Sequence, residues 1–353
     1  MKTCIHFGLC GGCSFQNLSP EDYRAHKRDA VVQALARAGL ADMKVEAPVD
    51  LPDHSRRRAV FKIKRTGEGV EVGFHAAKSH SIVDMRECLV LSPALFGFAA
   101  TARAALAPVM KPGEAAEAHV TEADNGLDVA FRWERKLTPA LTGELGKAFA
   151  GKGIARLLVN KEIVLGDATP FVTLAGVDVA LPPHAFLQAA GEKLLQTHVL
   201  TLAKGAKNIL DLFSGLGTFT FALARGAKVH AVEQDKPALD ALAAAARKAQ
   251  GLKPITTERR DLFKLPLTWA ELKPFDLAVL DPPREGAEAQ IREIAASKLP
   301  RLVYVSCDAA SFARDAALLV KAGFKPGPVT PIDQFRYSGH IELVAGFARD
   351  KVK

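Results

Sequence analysis

Short apolar runs alternate with amphipathic stretches from about residue 180 onward, and this alternation constrains the fold more than any other feature of the chain. The apolar runs are KNILDLFS, KVHAVEQD, FDLAVLDPP and RLVYVSC, and each precedes sequence with helical periodicity. Strands that alternate with helices in this way form a doubly wound parallel sheet with helices on both faces. We therefore predict an α/β domain over residues 179–353.

Several polar side chains follow these strands. Open parallel sheets bind their ligands in the crevice at the carboxyl ends of the strands. The residues at or near such ends that bear ligand-binding or reactive groups are Asp211, Glu233, Asp281 and Cys307. We expect them to face one crevice.

The turn after the first of these strands reads DLFSGLGTFT, in which Gly215 and Gly217 would let the backbone approach a ligand closely. Glu233 ends the next strand, where an acid is placed to accept hydrogen bonds from ribose hydroxyls. The third glycine of a dinucleotide fingerprint is replaced by Thr220. The motif therefore fits an NAD site, an S-adenosylmethionine site or tight packing alone. The loop DPPREG that begins at Asp281 is stiff, because each proline fixes its own backbone angle.

Two residues are candidates for covalent and proton-transfer chemistry. Cys307 precedes the helical sequence DAASFARDAALLV, and a helix N-terminus lowers the pKa of a thiol and favours a nucleophilic thiolate. Glu342 interrupts an apolar strand, where partial burial would raise the pKa of its carboxyl and suit it to proton transfer. The alternatives are a buried structural cysteine, an exposed strand position for Glu342, and His340 as the proton carrier.

The other four cysteines of the chain form a separate set. Cys4, Cys10 and Cys13 lie close together near the N-terminus, and Cys88 lies far downstream. We see no signal peptide and no apolar run near the roughly 18 residues that would span a bilayer, so we expect a cytoplasmic protein with reduced thiols. Clustered cysteines there more often bind metal or react than form disulfides.

The basic residues are unevenly distributed. The net charge is +8, and HSRRRAVFKIKR contains six basic residues and no acid. Its alternation predicts a strand with Ala59, Phe61 and Ile63 on the apolar face. The basic positions that could track the phosphates of a polyanionic partner are Arg56, Arg57, Arg58, Lys62 and Lys64. A solvated face explains this run equally well.

A chain of 353 residues is expected to form two or three domains. We divide it into residues 1–90 (cysteine segment, helix and basic β-hairpin), 91–178 (a central α+β domain) and 179–353 (the catalytic α/β domain). The helix of the first segment should begin after Ser19 and end near Gly39.

Several segments, in their order, resemble one family. They are CIHFGLCGGCSFQ, FLQ, DLFSGLGTF, AVEQD, DPPREG, YVSCDAASFARD and SGHIELV. The chain resembles, over nearly its whole length, the bacterial RNA uracil-5-methyltransferases, which make 5-methyluridine in ribosomal and transfer RNA. The resemblance implies a class I S-adenosylmethionine methyltransferase domain, preceded by an iron–sulfur segment and a smaller α+β domain, without the N-terminal β-barrel domain of many relatives.

The resemblance also implies roles for the matching residues. Cys307 matches the nucleophile and Glu342 the general base. The implied contacts to S-adenosylmethionine are Gln188, Phe213, Gly215, Thr218, Glu233, Asp261 and Asp281. The implied ligands of a 4Fe–4S cluster are Cys4, Cys10, Cys13 and Cys88.

The implied reaction is methyl transfer to carbon 5 of a uridine that leaves its stack. The cluster-bearing form without a β-barrel is similar to the 23S rRNA enzymes, so we expect an enzyme that acts on 23S rRNA. We also expect a monomer, and we expect the basic positions of 56–64 named above to contact RNA. The alternatives are transfer RNA as substrate, cytosine-5 methylation, and an RNA-binding iron–sulfur protein with an inactive methyltransferase domain. The chain departs from the family pattern at Ala190, Ser214, Thr218 and Ala309, which bears on substrate positioning more than on the reaction.

Overall fold

The computed structural model describes residues 3–166 and 168–349, whose strands form an eight-stranded, a seven-stranded and a two-stranded sheet. The helices, numbered in chain order, are α1 Pro20–Arg37, α2 Pro93–Leu106, α3 Pro139–Phe149, α4 Glu192–Ala203, α5 Thr220–Ala224, α6 Lys236–Lys248, α7 Glu288–Ala296 and α8 Ala309–Lys321. The first strands are β1 Val49–Asp50, β2 Arg58–Arg65, β3 Val70–His75, β4 Ile82–Asp84, β5 Ala115–Ala123, β6 Gly126–Trp133, β7 Ile154–Val159 and β8 Glu162–Leu165. The remaining strands are β9 Phe171–Leu174, β10 Val177–Ala180, β11 Asn208–Leu212, β12 Lys228–Glu233, β13 Ile255–Arg259, β14 Leu277–Leu280, β15 Arg301–Ser306, β16 Lys325–Asp333 and β17 Glu342–Ala348.

The eight-stranded sheet has the order β1-β16-β17-β15-β14-β11-β12-β13. Strands β13, β12, β11, β14 and β15 are parallel to one another, as the alternation of strands and helices predicts. Strand β17 is antiparallel to both of its neighbours, because it follows β16 in a hairpin through the loop 334–341. The doubly wound parallel sheet that we predicted is therefore mixed at this end.

Helices cover both faces of this sheet. Side chains of α7 and α8, such as Ile291 and Phe312, pack on one face, and side chains of α4 and α5, such as Leu195 and Leu223, pack on the other. All four residues of β14 are buried, as expected for a strand covered on both sides.

The seven-stranded sheet has the order β4-β3-β2-β5-β6-β7-β8, with α2 and α3 packed on one face. The apolar face predicted for β2 is confirmed, since Ala59, Phe61 and Ile63 are buried. Because β2 pairs with β5, the boundary that we expected at 90/91 falls inside a single sheet.

The N-terminal helix packs on the eight-stranded sheet. Helix α1 begins after Ser19, whose hydroxyl accepts a hydrogen bond from the Asp22 N–H. Val31 and Leu35 of α1 share a buried cluster with residues of α8 and β16. Residues 20–37 therefore pack against the eight-stranded sheet rather than against the β-hairpin of residues 58–75. Among the helices that the structure describes, none is long and apolar enough to cross a membrane.

Candidate active site

The reversed direction of β17 brings the two candidate catalytic residues together. The parallel strands end at one edge of the sheet, and β17 begins at that same edge. Ser306 at the end of β15 pairs with Leu343 of β17, so Cys307 and Glu342 lie next to this pair of residues at the same edge. This register explains why a cysteine after one strand meets a glutamate at the start of another.

A cavity of about 710 Å³ opens at this edge, between the two large sheets. The sequence-predicted residues that line it are Arg56, Arg58, Gln188, Phe213, Gly215, Thr218, Glu233, Asp281, Cys307 and Glu342. The crevice expected at the strand ends is thus present, and its opposite wall is the outer face of β2, β5 and β6.

The glycine turn that follows β11 forms one end of the cavity. Gly215 and Gly217 have φ of +53° and +94°, in the left-handed region that favours glycine. A Cβ at Gly215 would meet no atom within 4 Å, whereas a Cβ at Gly217 would lie 2.7 Å from the Phe221 ring. Gly217 therefore allows tight packing, and Gly215 leaves room beside the cavity.

Carboxylates surround this turn. Asp211 is fully buried, and one of its carboxylate oxygens accepts a hydrogen bond from Thr220 Oγ1. Burial raises the pKa of the Asp211 carboxyl to about 7. Glu233 accepts hydrogen bonds from Gly215 N at 2.9 Å and from Asp235 N at 2.8 Å. Because an ionised carboxylate has about four acceptor sites, Glu233 can still accept from ribose hydroxyls.

Three buried side chains and the half-buried Asp281 form a chain of hydrogen bonds across the floor of the cavity. Gln188 Nε2 donates to Asp281 Oδ2 at 2.7 Å. Gln334 Nε2 donates to Gln188 Oε1 at 3.2 Å and to Glu342 Oε2 at 2.5 Å. Burial and the nearby Asp281 raise the pKa of Glu342, while the Gln334 hydrogen bond lowers it. Burial likewise raises the pKa of Asp281.

Gln334 was not singled out from the sequence. It directly follows β16 in the run IDQFRYSGH, and no periodicity or motif marks it. Gln334 lies eight residues before Glu342, but this spacing places the two side chains together only once the pairing of β16 with β17 is known.

The electrostatics of Cys307 differ from the sequence expectation. Burial, Glu342 and Asp281 raise the pKa of its thiol to about 12, and Arg284 and a backbone amide oppose them only in part. The N-cap of α8 is Asp308, whose carboxylate accepts from Ala310 N and Ser311 N. The helix terminus is thus already capped by a carboxylate, and the expected lowering of the thiol pKa is wrong.

Some predicted residues lie outside the cavity. As far as the structure describes the chain, its lining includes the neighbours of Asp261 but not Asp261, whose carboxylate accepts from Phe263 N at 3.1 Å. Arg57 pairs with Glu192 at 3.0 Å, Lys62 pairs with Glu117, and Lys64 is exposed. Phe186 of the FLQ segment, to which the sequence analysis assigned no role, lines the cavity with 68% of its surface exposed.

The four remaining cysteines line a second cavity of about 270 Å³. Cys4, Cys10, Cys13 and Cys88 are free thiols, and burial raises the pKa of Cys13 to about 12, with the other three thiols adding to the effect. Within the described ranges, no group of three or more His, Cys, Asp or Glu side chains is arranged to hold a metal ion. Arg56 lines both this cavity and the active-site cavity.

Comparisons with known proteins show which RNA methyltransferases the chain is similar to. Residues 182–349 match the family model described as tRNA (uracil-5-)-methyltransferase. An uncharacterised RNA methyltransferase of Rhizobium meliloti is 42% identical over 97% of this chain and 84% of its own length. The 23S rRNA (uracil(1939)-C(5))-methyltransferase RlmD of Chromohalobacter salexigens is 32% identical over 98% of this chain and 76% of its own length.

A solved structure shares the fold. The Pyrococcus abyssi tRNA (uracil-54, C5)-methyltransferase, solved with S-adenosyl-L-homocysteine, has a TM-score of 0.75 and 23% identity, covering 96% of this chain and 85% of that chain. The catalytic sheet is thus of the class I S-adenosylmethionine methyltransferase type. With relatives this similar over nearly its whole length, the chain belongs to the RNA (uracil-5-)-methyltransferase family of S-adenosylmethionine-dependent enzymes.

Proposed function

We propose that the protein methylates carbon 5 of a uridine in 23S rRNA through a covalent adduct between Cys307 and the base. The observation that carries the proposal is the placement of Cys307 and Glu342 at one edge of the sheet, in one cavity. The choice of 23S rRNA is supported by the relative from Chromohalobacter salexigens, which carries that activity in its name and aligns with 98% of this chain.

The first step is nucleophilic addition. Carbon 5 of uracil is a poor nucleophile until a group adds at carbon 6. The Cys307 sulfur forms a bond to carbon 6, and the electrons of the 5,6 double bond move to the carbonyl at carbon 4, which gives an enolate. Because burial raises the pKa of its thiol, Cys307 must first lose a proton, and the neighbouring carboxylate of Asp281 is a suitable acceptor that leaves Glu342 free for the later step.

The later steps restore the aromatic ring. S-adenosylmethionine supplies an electrophilic methyl group to the activated carbon 5. Glu342 then removes the proton from carbon 5, the 5,6 double bond re-forms, and the bond between carbon 6 and the Cys307 sulfur breaks. The products are 5-methyluridine, S-adenosylhomocysteine and the Cys307 thiolate. The thiolate takes its proton back from Asp281, and Glu342 releases the carbon-5 proton to solvent.

The residues proposed to hold S-adenosylmethionine surround the glycine turn. They are Gln188, Phe213, Gly215, Thr218, Glu233 and Asp281, with Asp261 beside the adjoining turn. Two buried polar atoms at this turn, Asp211 Oδ1 and Ser214 Oγ, have no hydrogen-bond partner among the described residues. Such atoms fit a ligand that supplies the missing partners. Residues 179–353 would then be the catalytic domain.

The opposite wall of the cavity is proposed to hold RNA. Arg56 and Arg58 supply positive charge there, and the Arg58 guanidinium lies 4.4 Å from the centre of the Phe186 ring. An exposed aromatic ring beside cations is suited to a base that has left its stack, because bases stack on aromatic side chains and phosphates pair with arginine.

We also propose that Cys4, Cys10, Cys13 and Cys88 hold a 4Fe–4S cluster. Four free thiols around a mostly apolar cavity form the donor set that such clusters use. A cluster of several irons fills a volume, so its ligands stand around a cavity instead of converging on one ion. Protein purified without air should absorb near about 400 nm, and the Cys13→Ser variant should lose this band. Colourless protein with bound zinc would contradict the assignment.

The function is tested by transfer of labelled methyl groups to purified 23S rRNA and, separately, to transfer RNA from a strain that lacks the gene. We expect labelled 5-methyluridine in 23S rRNA, and RNA containing 5-fluorouridine should form a stable crosslink to Cys307. Labelling of transfer RNA alone would reject the 23S assignment. A label on cytosine, or no label and no crosslink, would reject the reaction.

A further inference from the structure

We propose that Gln334 is the positioning residue of the general base, and that its side-chain amide fixes Glu342 in the orientation needed to remove the proton from carbon 5. This inference rests on the proposed function. Gln334 Nε2 lies 2.5 Å from Glu342 Oε2, and 3% of the glutamine and 2% of the glutamate is exposed. A hydrogen bond between a buried amide and a carboxylate is charge-assisted and strongly directional.

The same amide ties the general base to the rest of the site. Gln334 Nε2 also donates to Gln188 Oε1, and Gln188 Nε2 donates to Asp281 at 2.7 Å. Two carboxylates at the ends of different strands are thereby joined through two amides. Because a buried polar network holds its members in one geometry only while every link is made, Gln334 is the link whose loss separates Glu342 from Gln188.

The backbone holds Gln334 at this position. Gln334 N donates to Ile332 O at 3.0 Å, which makes a tight turn directly after β16. Ile332 pairs with Glu342 across the hairpin, so the turn places the glutamine side chain beside the first residue of β17. The hydrogen bonds of the described residues engage Oε2 of Glu342, which leaves Oε1 to accept the proton.

The chemistry explains why such a link is needed. Glu342 acts after the methyl group has been transferred, and its proton removal permits the bond between Cys307 and carbon 6 to break. A carboxylate that is poorly oriented or wrongly protonated would therefore stall the enzyme after methylation. The titratable groups that act on Glu342 are Asp281 and Cys307. Of the side chains around Glu342, Gln334 donates a hydrogen bond to it and thereby favours its charged form.

The test uses the full-length protein with the Gln334→Met variant, which keeps the side-chain length and removes the donor. We expect the release of methylated RNA to slow by about 10-fold to 100-fold, as for loss of a hydrogen bond to a charged group. A covalent adduct with ordinary uridine RNA should accumulate, detectable as a retarded band on a denaturing gel. The acid limb of the pH–rate profile should move to higher pH, because the lost hydrogen bond favours the carboxylate form of Glu342.

The matched control is Gln290→Met, which also removes a fully buried glutamine, in this case one that bonds Leu267 outside the cavity lining. Gln334→Glu keeps the shape and places a second acceptor beside Glu342, so it should shift the pH profile in the same direction. Thermal unfolding and S-adenosylmethionine affinity are measured for every variant, so that a loss of folding or of cofactor binding through Gln188 is separated from a loss of proton removal.

The proposal is overturned if Gln334→Met slows turnover without adduct accumulation and without a shift of the pH profile, or if Gln290→Met has the same effect. Failure of the proposed function looks different. In that case the parent protein itself forms neither 5-methyluridine nor a crosslink to 5-fluorouridine RNA.

Discussion

Lys27 Nζ lies 2.8 Å from Asp333 Oδ1, and at most 2% of either side chain is exposed to solvent. Asp333 ends β16, directly before Gln334, and its second oxygen accepts from Tyr23 at 2.6 Å. Lys27 also donates to the main-chain carbonyls of Phe335 and His340, near the two ends of the loop 334–341. Helix α1 thus fixes the catalytic loop from behind with a buried charge.

Removing one partner of this ion pair should destabilise the protein strongly. The Lys27→Met variant leaves the Asp333 carboxylate buried and unpaired, and the expected loss is about 3–5 kcal/mol in the free energy of unfolding. Denaturant titration measures this loss. The double variant Lys27→Met with Asp333→Asn should recover part of it, because the uncompensated charge is gone.

The control for this prediction is an exposed ion pair. Lys236 pairs with Asp240 on the surface of α6, so Lys236→Met should cost less than about 1 kcal/mol. If Lys27→Met proves no more destabilising than Lys236→Met, the buried pair does not anchor the loop.

The cysteine segment is joined to the same loop by main-chain hydrogen bonds. Ser14 N and Phe15 N both donate to Tyr337 O, at 2.7 and 3.2 Å, directly after the proposed cluster ligand Cys13. Removal of the metal by a chelator should therefore loosen residues 334–341. We expect amide hydrogen exchange to accelerate at 14–15 and across this loop, since local stability follows the contacts that hold a segment.

Strands β11 and β12 serve as the internal reference for that measurement, because two strands, β15 and β14, separate them from the hairpin of β16 and β17. Unchanged exchange at 334–341 after complete metal loss would show that the cysteine segment does not support the catalytic loop. Equal acceleration in β11 would indicate global unfolding instead.

The extent of successful prediction from sequence follows from how local each feature is. The parallel strands and the glycine turn of Gly215 were predictable because a strand–turn–helix unit is encoded in contiguous residues. Cys307 and Glu342 were identifiable because each interrupts or ends an apolar strand. Their proximity was predictable only in part, since it depends on β17 running antiparallel, and the direction of a hairpin inside a sheet is set by long-range packing.

Electrostatics and networks were less accessible. The thiol pKa was predicted in the wrong direction because the capping role of Asp308 and the burial of Glu342 are properties of the folded chain. Gln334 could not be found, because its partner Gln188 lies on a distant segment. The basic residues of β2 read as one group in the sequence, yet pairing with Glu192 and Glu117 removes Arg57 and Lys62 from it.

The exposed aromatic ring at the cavity should contribute to RNA affinity. Phe186→Ala removes a surface on which a base can stack, and such stacking contributes about 1–3 kcal/mol per base, or roughly 5-fold to 150-fold in affinity. Filter binding with an RNA fragment that contains the target uridine measures the effect. We expect S-adenosylmethionine affinity to stay unchanged, because the ring packs on Arg58 of the wall proposed to hold RNA.

The matched control for the ring is Phe96→Ala on α2, which removes another partly exposed phenylalanine outside the cavity lining. A parallel pair of variants addresses the charges: Arg58→Ala should weaken RNA binding more than Lys64→Ala, since Arg58 lines the cavity. Equal losses for Phe186→Ala and Phe96→Ala would exclude a direct contact between the Phe186 ring and RNA.

The reactivity of Cys307 should report its electrostatic surroundings. With a thiol pKa of about 12, its alkylation by iodoacetamide should be slow at pH 8 and rise about tenfold per pH unit up to pH 10, because only the thiolate reacts. The charge of Glu342 raises this pKa, so Glu342→Gln should lower it and speed alkylation at fixed pH. The control Glu144→Gln, at an exposed position of α3, should leave the alkylation rate unchanged. Mass spectrometry of the peptide that carries Cys307 measures the rate. Fast alkylation at pH 7 in the parent would show that the thiolate is already formed, and Asp281 would then have no role in removing its proton.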